Sequence, residues 1–332
     1  MYRPIVLGIA LLAAVPAQAQ QTDCDRLAGY PLIPRVEGAV GVYAVRAPIE
    51  AVAACAAARA QAPDDAFLAI LEARARLALD PQDSGVLPLL TGATQTLPAL
   101  ASAVLGQLYD FGLAGLPQAD PTARAHYQSA CNAAPDRHAA PGCAGLALMM
   151  IQGRGGAEDQ TGGFALLDAL CTEGWAEACT ELAFQTDLNG LGDLETISQR
   201  IAGLFEAGCD AGDLLACSQF GFRLELGDGV ATDVSRAATL YSQSCEGGEP
   251  QGCSYLGEIY RSGLGVRPDI TEAVRLFALG CDGNDPYACV TLGDILADGR
   301  GVPPDVPRAL AVLERACTLG DPDACFRADD LR

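Results

Sequence analysis

Residues Cys245 to Cys289 read CEGGEPQGCSYLGEIYRSGLGVRPDITEAVRLFALGCDGNDPYAC. Two cysteine pairs, Cys245/Cys253 and Cys281/Cys289, frame two helical stretches joined by a glycine-rich turn. Leu256-Gly257 and Tyr260 lie on the first stretch, Gly263-Leu264-Gly265-Val266 form the turn, and Asp269, Ala273 and Leu276 belong to the second. Moving this template by 36 residues in either direction lands it again. Cys209/Cys245/Cys281/Cys317 make one ladder, and Cys217/Cys253/Cys289/Cys325 its partner. Gly221/Gly257/Gly293, Gly227/Gly263/Gly299, Gly229/Gly265/Gly301, Val230/Val266/Val302 and Asp233/Asp269/Asp305 keep the same step. Self-similarity at such a period marks a stacked array of small helical units.

Each rung has a physical task. Gly221, Gly257 and Gly293, replaced by Ala147 and Ala183 in two other units, suit a point where helices cross too closely for a larger side chain. Glycine costs roughly 1 kcal/mol in a helix relative to alanine, so close packing has to offset it. The Gly-x-Gly turn supplies the left-handed backbone that ends the first helix. Asp233, Asp269 and Asp305 stand where an N-cap carboxylate would accept the free amides of the second helix. Glu249-Pro250, Asp285-Pro286 and Asp321-Pro322 repeat that logic at the next turn, an acidic cap before proline at the first helical position.

Outward from this core the pattern loosens. Leu105-Gly106, Tyr109 and Gly112 echo it in a unit starting near Leu97, with a second helix from Pro121 to Cys131 and Asp120 as its expected N-cap. A helix over Ala144 to Ile151, a Gly153-Arg154-Gly155-Gly156 turn and a helix from Gly163 to Cys171 make the next unit. The one after it turns at Gly190-Leu191-Gly192, with Asp193 near the following cap. The array ends on a short polar helix, Phe326 to Arg332. Before it, Pro48 to Ala62 and Phe67 to Leu79 read as a tetratricopeptide-like hairpin, Asp80 to Gly92 as an irregular connection, and residues 20 to 45 as an irregular lead-in.

The expected organisation is therefore a signal peptide over 1–19, a lead-in plus helical hairpin over 20–95, and the repeat array over 96–332. Arg3, the apolar Ile5 to Val15 and Ala17-Gln18-Ala19 have the charge, hydropathy and small-x-small cleavage site of a secretory leader. Cys24 follows Gln21-Thr22-Asp23, which argues against lipidation. The apolar stretch from Leu97 to Leu108 reads as a buried helix rather than a membrane span. A periplasmic or secreted location after cleavage near Ala19 is the expectation, without membrane insertion.

All 14 cysteines lie beyond the leader, in seven sequential couples. These are Cys24-Cys55, Cys131-Cys143, Cys171-Cys179, Cys209-Cys217, Cys245-Cys253, Cys281-Cys289 and Cys317-Cys325. The rival chemistry is zinc, but structural zinc sites favour two to four intervening residues and histidine partners. Five couples here have seven intervening residues, and the chain has two histidines, so disulfides are the preferred reading. With 42 acidic and 21 basic residues the net charge is −21, and losing Arg3 with the leader makes it more negative. Such a polyanion repels nucleic acid.

The pattern Leu256-Gly257-x2-Tyr260-x2-Gly263-x-Gly265-Val266-x2-Asp269-x3-Ala273 resembles the Sel1-like repeat, a relative of the tetratricopeptide repeat. With a cysteine pair in each unit and a leader, the chain is similar to the secreted cysteine-rich Sel1-like proteins of bacteria. The resemblance covers about residues 97–325. It implies an all-α fold, a right-handed α-solenoid of helix-turn-helix repeats stapled by disulfides, with a concave face and an adaptor or scaffold role. Its partner would be a protein or peptide. Some members of that group carry penicillin-binding or β-lactamase-like names, so a β-lactam-binding hydrolase is the alternative.

The residues weigh against catalysis, and no catalytic, metal or cofactor-binding residue is expected. All 21 basic residues are arginine; without lysine a Ser-x-x-Lys nucleophile, Schiff-base and P-loop chemistry are closed. Two histidines are too few for a metallo-lactamase once the cysteines are paired. His126 reads as a packed helical histidine and His138 as a loop residue beside Asp136 and Arg137. Gly153-Arg154-Gly155-Gly156 occupies a repeat turn, and Asp64-Asp65 and Asp329-Asp330 lack a twelve-residue calcium loop around them. Most of Tyr109, Phe220, Tyr241, Tyr260 and Phe277 read as packing. Tyr255 and Phe222, on first helices, are the expected partner-binding residues of the concave face.

Overall fold

A computed structural model describes residues 22–28, 45, 47–133, 137–189 and 193–332. The leader, most of the lead-in, Asp136 and the Gly190-Leu191-Gly192 turn lie outside the described residues. Among the described residues there are seventeen α-helices and one 3-10 turn (Arg137–Ala139), with no strand. α1 (Asp23–Ala28), α2 (Pro48–Gln61), α3 (Ala66–Leu79) and α4 (Val86–Ala93) come first. Then run α5 (Pro98–Phe111) with α6 (Asp120–Cys131), α7 (Ala140–Ile151) with α8 (Gln160–Thr172), and α9 (Ala176–Asn189) with α10 (Leu194–Asp210). α11 (Leu214–Leu226) pairs with α12 (Val234–Gly247), α13 (Pro250–Ser262) with α14 (Ile270–Asp282), and α15 (Pro286–Asp298) with α16 (Val306–Thr318); α17 (Pro322–Asp330) is last.

Local chemistry sets these boundaries. Gly227, Gly263 and Gly299 end their helices in the left-handed region at φ of 73°, 73° and 67°. The chain then returns so that the amides of Asp233, Asp269 and Asp305 donate to the carbonyls of Leu224, Tyr260 and Leu296 at 2.8–2.9 Å. The carboxylates of those aspartates accept from the amides of Arg236, Glu272 and Arg308, as the sequence leads one to expect of N-caps. Glu249, Asp285 and Asp321 cap α13, α15 and α17 in the same way.

Three sequence expectations need correction. Asp120 does not cap α6: it is the first helical residue, Ala119 precedes it, and its carboxylate is taken by Arg154 at 2.6 Å. The connection from Asp80 to Gly92 contains the helix α4, whose Val86, Leu90 and Ala93 are buried at helical spacing. Its Pro88 stands in the first turn, where a missing amide breaks no helical bond. The lead-in is helical around Cys24, in α1, because a disulfide to Cys55 ties that segment against α2.

Hairpins stack by a shared rule. A Cβ on Gly221, Gly257 or Gly293 would fall 2.7, 3.0 or 2.6 Å from Tyr241, Phe277 or Leu313, the large side chain of the same hairpin's second helix. Gly106 has the same relation to Tyr127. Tyr241 and Phe277 are wholly buried there. First helices of successive hairpins pack on one another, α5 on α7, α9 on α11, α11 on α13 and α13 on α15, a closeness the second helices do not match. The first helices therefore line the tighter, inner side of an α-solenoid. Six disulfides join the end of one helix to the start of the next, Cys131–Cys143, Cys171–Cys179, Cys209–Cys217, Cys245–Cys253, Cys281–Cys289 and Cys317–Cys325, and a seventh, Cys24–Cys55, ties α1 to the middle of α2.

Candidate interaction groove on the inner face

The inner side is deepest in chemical detail across α11, α13 and α15. Phe222 on α11 and Tyr255 on α13 stack with ring centroids 5.4 Å apart and planes 20° from parallel. Tyr241, from the second helix α12, supports Tyr255 from beneath at 5.1 Å. Such pairs add to simple burial because the ring edges and faces carry opposite partial charge. Tyr255 and Phe222 are both half-buried, whereas Tyr241 is core. The structure thus brings together the two aromatics singled out in the sequence and sets them at the base of a groove of about 440 Å³.

Its walls are residues to which the sequence assigns no binding role. Tyr287, 47 % exposed, stands at the α15 end, and Gln251 on α13 donates no apolar surface but accepts the side-chain amide of Gln219 at 2.8 Å. Three carboxylates complete the lining, Glu225, Glu258 and Asp285. Glu225 accepts the Tyr241 hydroxyl at 2.9 Å. Asp285 accepts the Ser254 hydroxyl and the Tyr287 amide. Glu258 accepts the Tyr287 hydroxyl and is ion-paired with Arg261 at 2.7 Å. A signal for these residues does exist: Gln251 and Tyr287 occupy one 36-step column, Phe222 and Glu258 another. In these columns the side chain changes from unit to unit while the glycine and cysteine frame stays constant.

The carboxylates shape the local field. Burial, reinforced by Asp285, Glu225 and Glu249 nearby, raises the Tyr255 hydroxyl above its ordinary pKa, and a hydrogen bond with Gln219 pulls the other way. Burial and the Glu258 carboxylate push Tyr287 up to about 12. Both phenols therefore stay neutral donors at physiological pH.

Elsewhere the candidate reactive groups are engaged in packing. His126 stacks on Tyr109 with centroids 5.6 Å apart, and burial lowers its pKa. His138 meets Phe67 edge-on at 6.1 Å. Arg154, in the glycine-rich turn, is held by Asp110 and Asp120, where the Tyr127 hydroxyl also reaches Asp110 at 3.2 Å. No cysteine is free, and among the described residues no cluster of three or more histidine, cysteine or acidic side chains is arranged to hold a metal ion. No helix among the described residues is long and apolar enough to cross a membrane.

Paired antiparallel helices at a fixed step, with first helices lining one side, define a helical-repeat solenoid, a class whose domains generally mediate contacts between proteins. The chain carries four Sel1 repeats: residues 99–134, 215–249, 250–285 and 286–321 match the Sel1 repeat. The hairpins α7–α8 and α9–α10 fall between the matched segments. A Sel1 repeat protein from Oxalobacter formigenes superposes with a TM-score of 0.59 at 23 % identity, over 73 % of this chain and 97 % of that one. The c5321 protective antigen of uropathogenic Escherichia coli strains, which displays the same fold, gives 0.52 at 19 % identity, over 82 % of this chain and 58 % of that one. At these identities the likeness establishes the fold alone. A comparison with curated proteins gave no match.

Proposed function

We propose that this chain is an exported, non-catalytic adaptor that holds a segment of another protein along its inner face. The observation that carries the reading is the half-buried Phe222–Tyr255 stack at the base of the groove between α11, α13 and α15. Aromatic residues held rigid on helices and left accessible lose little entropy on binding, which makes them favoured anchors for a partner. Export is supported by the leader-like residues 1–19 and by seven disulfides, which form and persist chiefly in oxidising compartments. No observation favours the β-lactam alternative, and the reading expects no nitrocefin turnover by the oxidised protein.

The test is site-specific photo-cross-linking in the native envelope, with the reactive group placed at Gln219 on the inner face or at Glu246 on α12. A partner should cross-link from Gln219 and not from Glu246, and Phe222→Ala or Tyr255→Ala should strongly reduce the yield. Equal yields from both positions, or yields indifferent to both substitutions, would remove the proposal. Mass spectrometry of the same sample should find the mature chain starting at Gln20.

A further inference from the structure

The groove is unequal in charge as well as rich in aromatic surface. Of its three carboxylates, Glu258 is ion-paired with Arg261, while Glu225 and Asp285 accept hydrogen bonds from neutral donors alone and form no ion pair among the described residues. Two formal negative charges thus remain beside the stacked faces of Phe222 and Tyr255. We infer that this groove seats an arginine side chain carried on an extended basic segment of the partner protein.

The occupant follows from what each wall can reward. An apolar side chain would satisfy the aromatic base but strip water from Glu225 and Asp285 without replacing it, a costly desolvation. An acidic segment would meet both carboxylates and the field of a chain whose net charge is −21. A guanidinium satisfies both kinds of wall at once. It is planar, stacks on an aromatic face, and donates in its own plane to carboxylate oxygens. The chain displays the same chemistry at the rim, where Arg261 donates through two nitrogens to both oxygens of Glu258 at 2.7 and 3.1 Å. A compact lysine ammonium would gain the charge term while leaving most of the aromatic surface without a flat partner. The bearer is an extended segment because the lining comes from three successive first helices, and Gln219 and Gln251 already exchange a 2.8 Å hydrogen bond across two of them.

This deepens the protein-binding reading and rests on it, so its test uses a probe that needs no identified partner. The oxidised full-length chain is titrated with N-acetyl-arginine amide in physiological salt, following the aromatic NMR signals of Phe222, Tyr255 and Tyr287. Saturable shifts are expected at all three, with N-acetyl-norleucine amide and N-acetyl-aspartate amide binding at least about tenfold more weakly. Glu225→Gln, which keeps an acceptor for Tyr241, should weaken arginine-amide binding by about fivefold, and Glu50→Gln, an equal charge change on distant α2, should leave it unchanged. Thermal melts of both variants establish that each is folded. The inference is overturned by absent saturation, by norleucine amide binding as well, or by Glu50→Gln weakening binding as much as Glu225→Gln. A partner cross-linked at the groove through a segment without arginine also overturns it, while leaving the protein-binding reading intact. Arginine-amide binding with no cross-linked partner supports the seat and instead removes that broader reading.

Discussion

At the scale of single residues, glycine in this chain is either a packing necessity or a dispensable weakness, and the structure separates the two. A Cβ at Gly221 would lie 2.7 Å from the ring of Tyr241, which is wholly buried and has nowhere to retreat. Gly203, exposed in the middle of α10, has nothing within 4 Å. Gly221→Ala is therefore expected to destabilise by about 1–3 kcal/mol through overpacking, and Gly203→Ala to stabilise by about 1 kcal/mol through helix propensity. Urea unfolding of the two variants checks the opposed signs.

A second residue-scale consequence concerns pH. Glu177 on α9 keeps access to water, yet the protein around it and the Asp213 carboxylate push its carboxyl up to about 7, with Arg74 pulling the other way. A carboxyl raised on folding holds its proton in the native state after the unfolded chain has lost it. Stability from this group is thus lost as pH rises from the ordinary carboxylate range towards 7. Glu177→Gln should raise the melting temperature at pH 7.5 and leave it nearly unchanged at pH 4.5. The reverse order, or equal shifts, would contradict the assignment.

At the scale of elements, most of the design was legible because each helix end is written in a few neighbouring residues. The αL glycines, the aspartate caps and the acid–proline starts depend on chemistry within one turn, and the 36-residue step repeats them. Asp120 was misread because its partner, Arg154, arrives from 34 residues along the chain, where local rules have no reach. The helix α4 was missed because a short helix with proline and glycine gains its stability from tertiary burial rather than from propensity. The groove was half legible: Tyr255 and Phe222 stand out as aromatics, but Glu225, Glu258, Asp285 and Tyr287 converge only once three hairpins are stacked.

The disulfides belong to this scale too, since all but Cys24–Cys55 close a turn between successive helices. Cys245–Cys253 spans a sequence separation of 8, linking α12 to α13. Replacing both cysteines with alanine is expected to cost about 2–3 kcal/mol through the freed loop entropy. In a repeat array that loss stays local, so hydrogen exchange should quicken in α12 to α15 and hardly change in α2 to α5. Uniform acceleration along the chain would mean that the hairpins do not act as separate units.

At the scale of the molecule, the expected boundary near residue 95 falls inside a single apolar cluster. Cys24, Phe67, Leu71 and Leu90 share it with Leu100, Val104, Leu105 and Leu108 of α5. We expect that deleting residues 20–95 exposes those α5 side chains, each worth about 1.5–3 kcal/mol when buried. The truncated array should then melt at a lower temperature than the full chain, with a loss centred on α5 to α7. An unchanged melt would support a separable N-terminal unit instead.

The central claim is that neighbouring hairpins are tied by bridges between sequence-adjacent cysteines, which holds the first helices in the register that builds the inner face. Non-reducing peptide mapping of the protein recovered from its native source tests this most directly. The account predicts seven links, Cys24–Cys55 and Cys131–Cys143 followed by five couples separated by 8 residues. Free thiols throughout, or links between distant repeats, would contradict it.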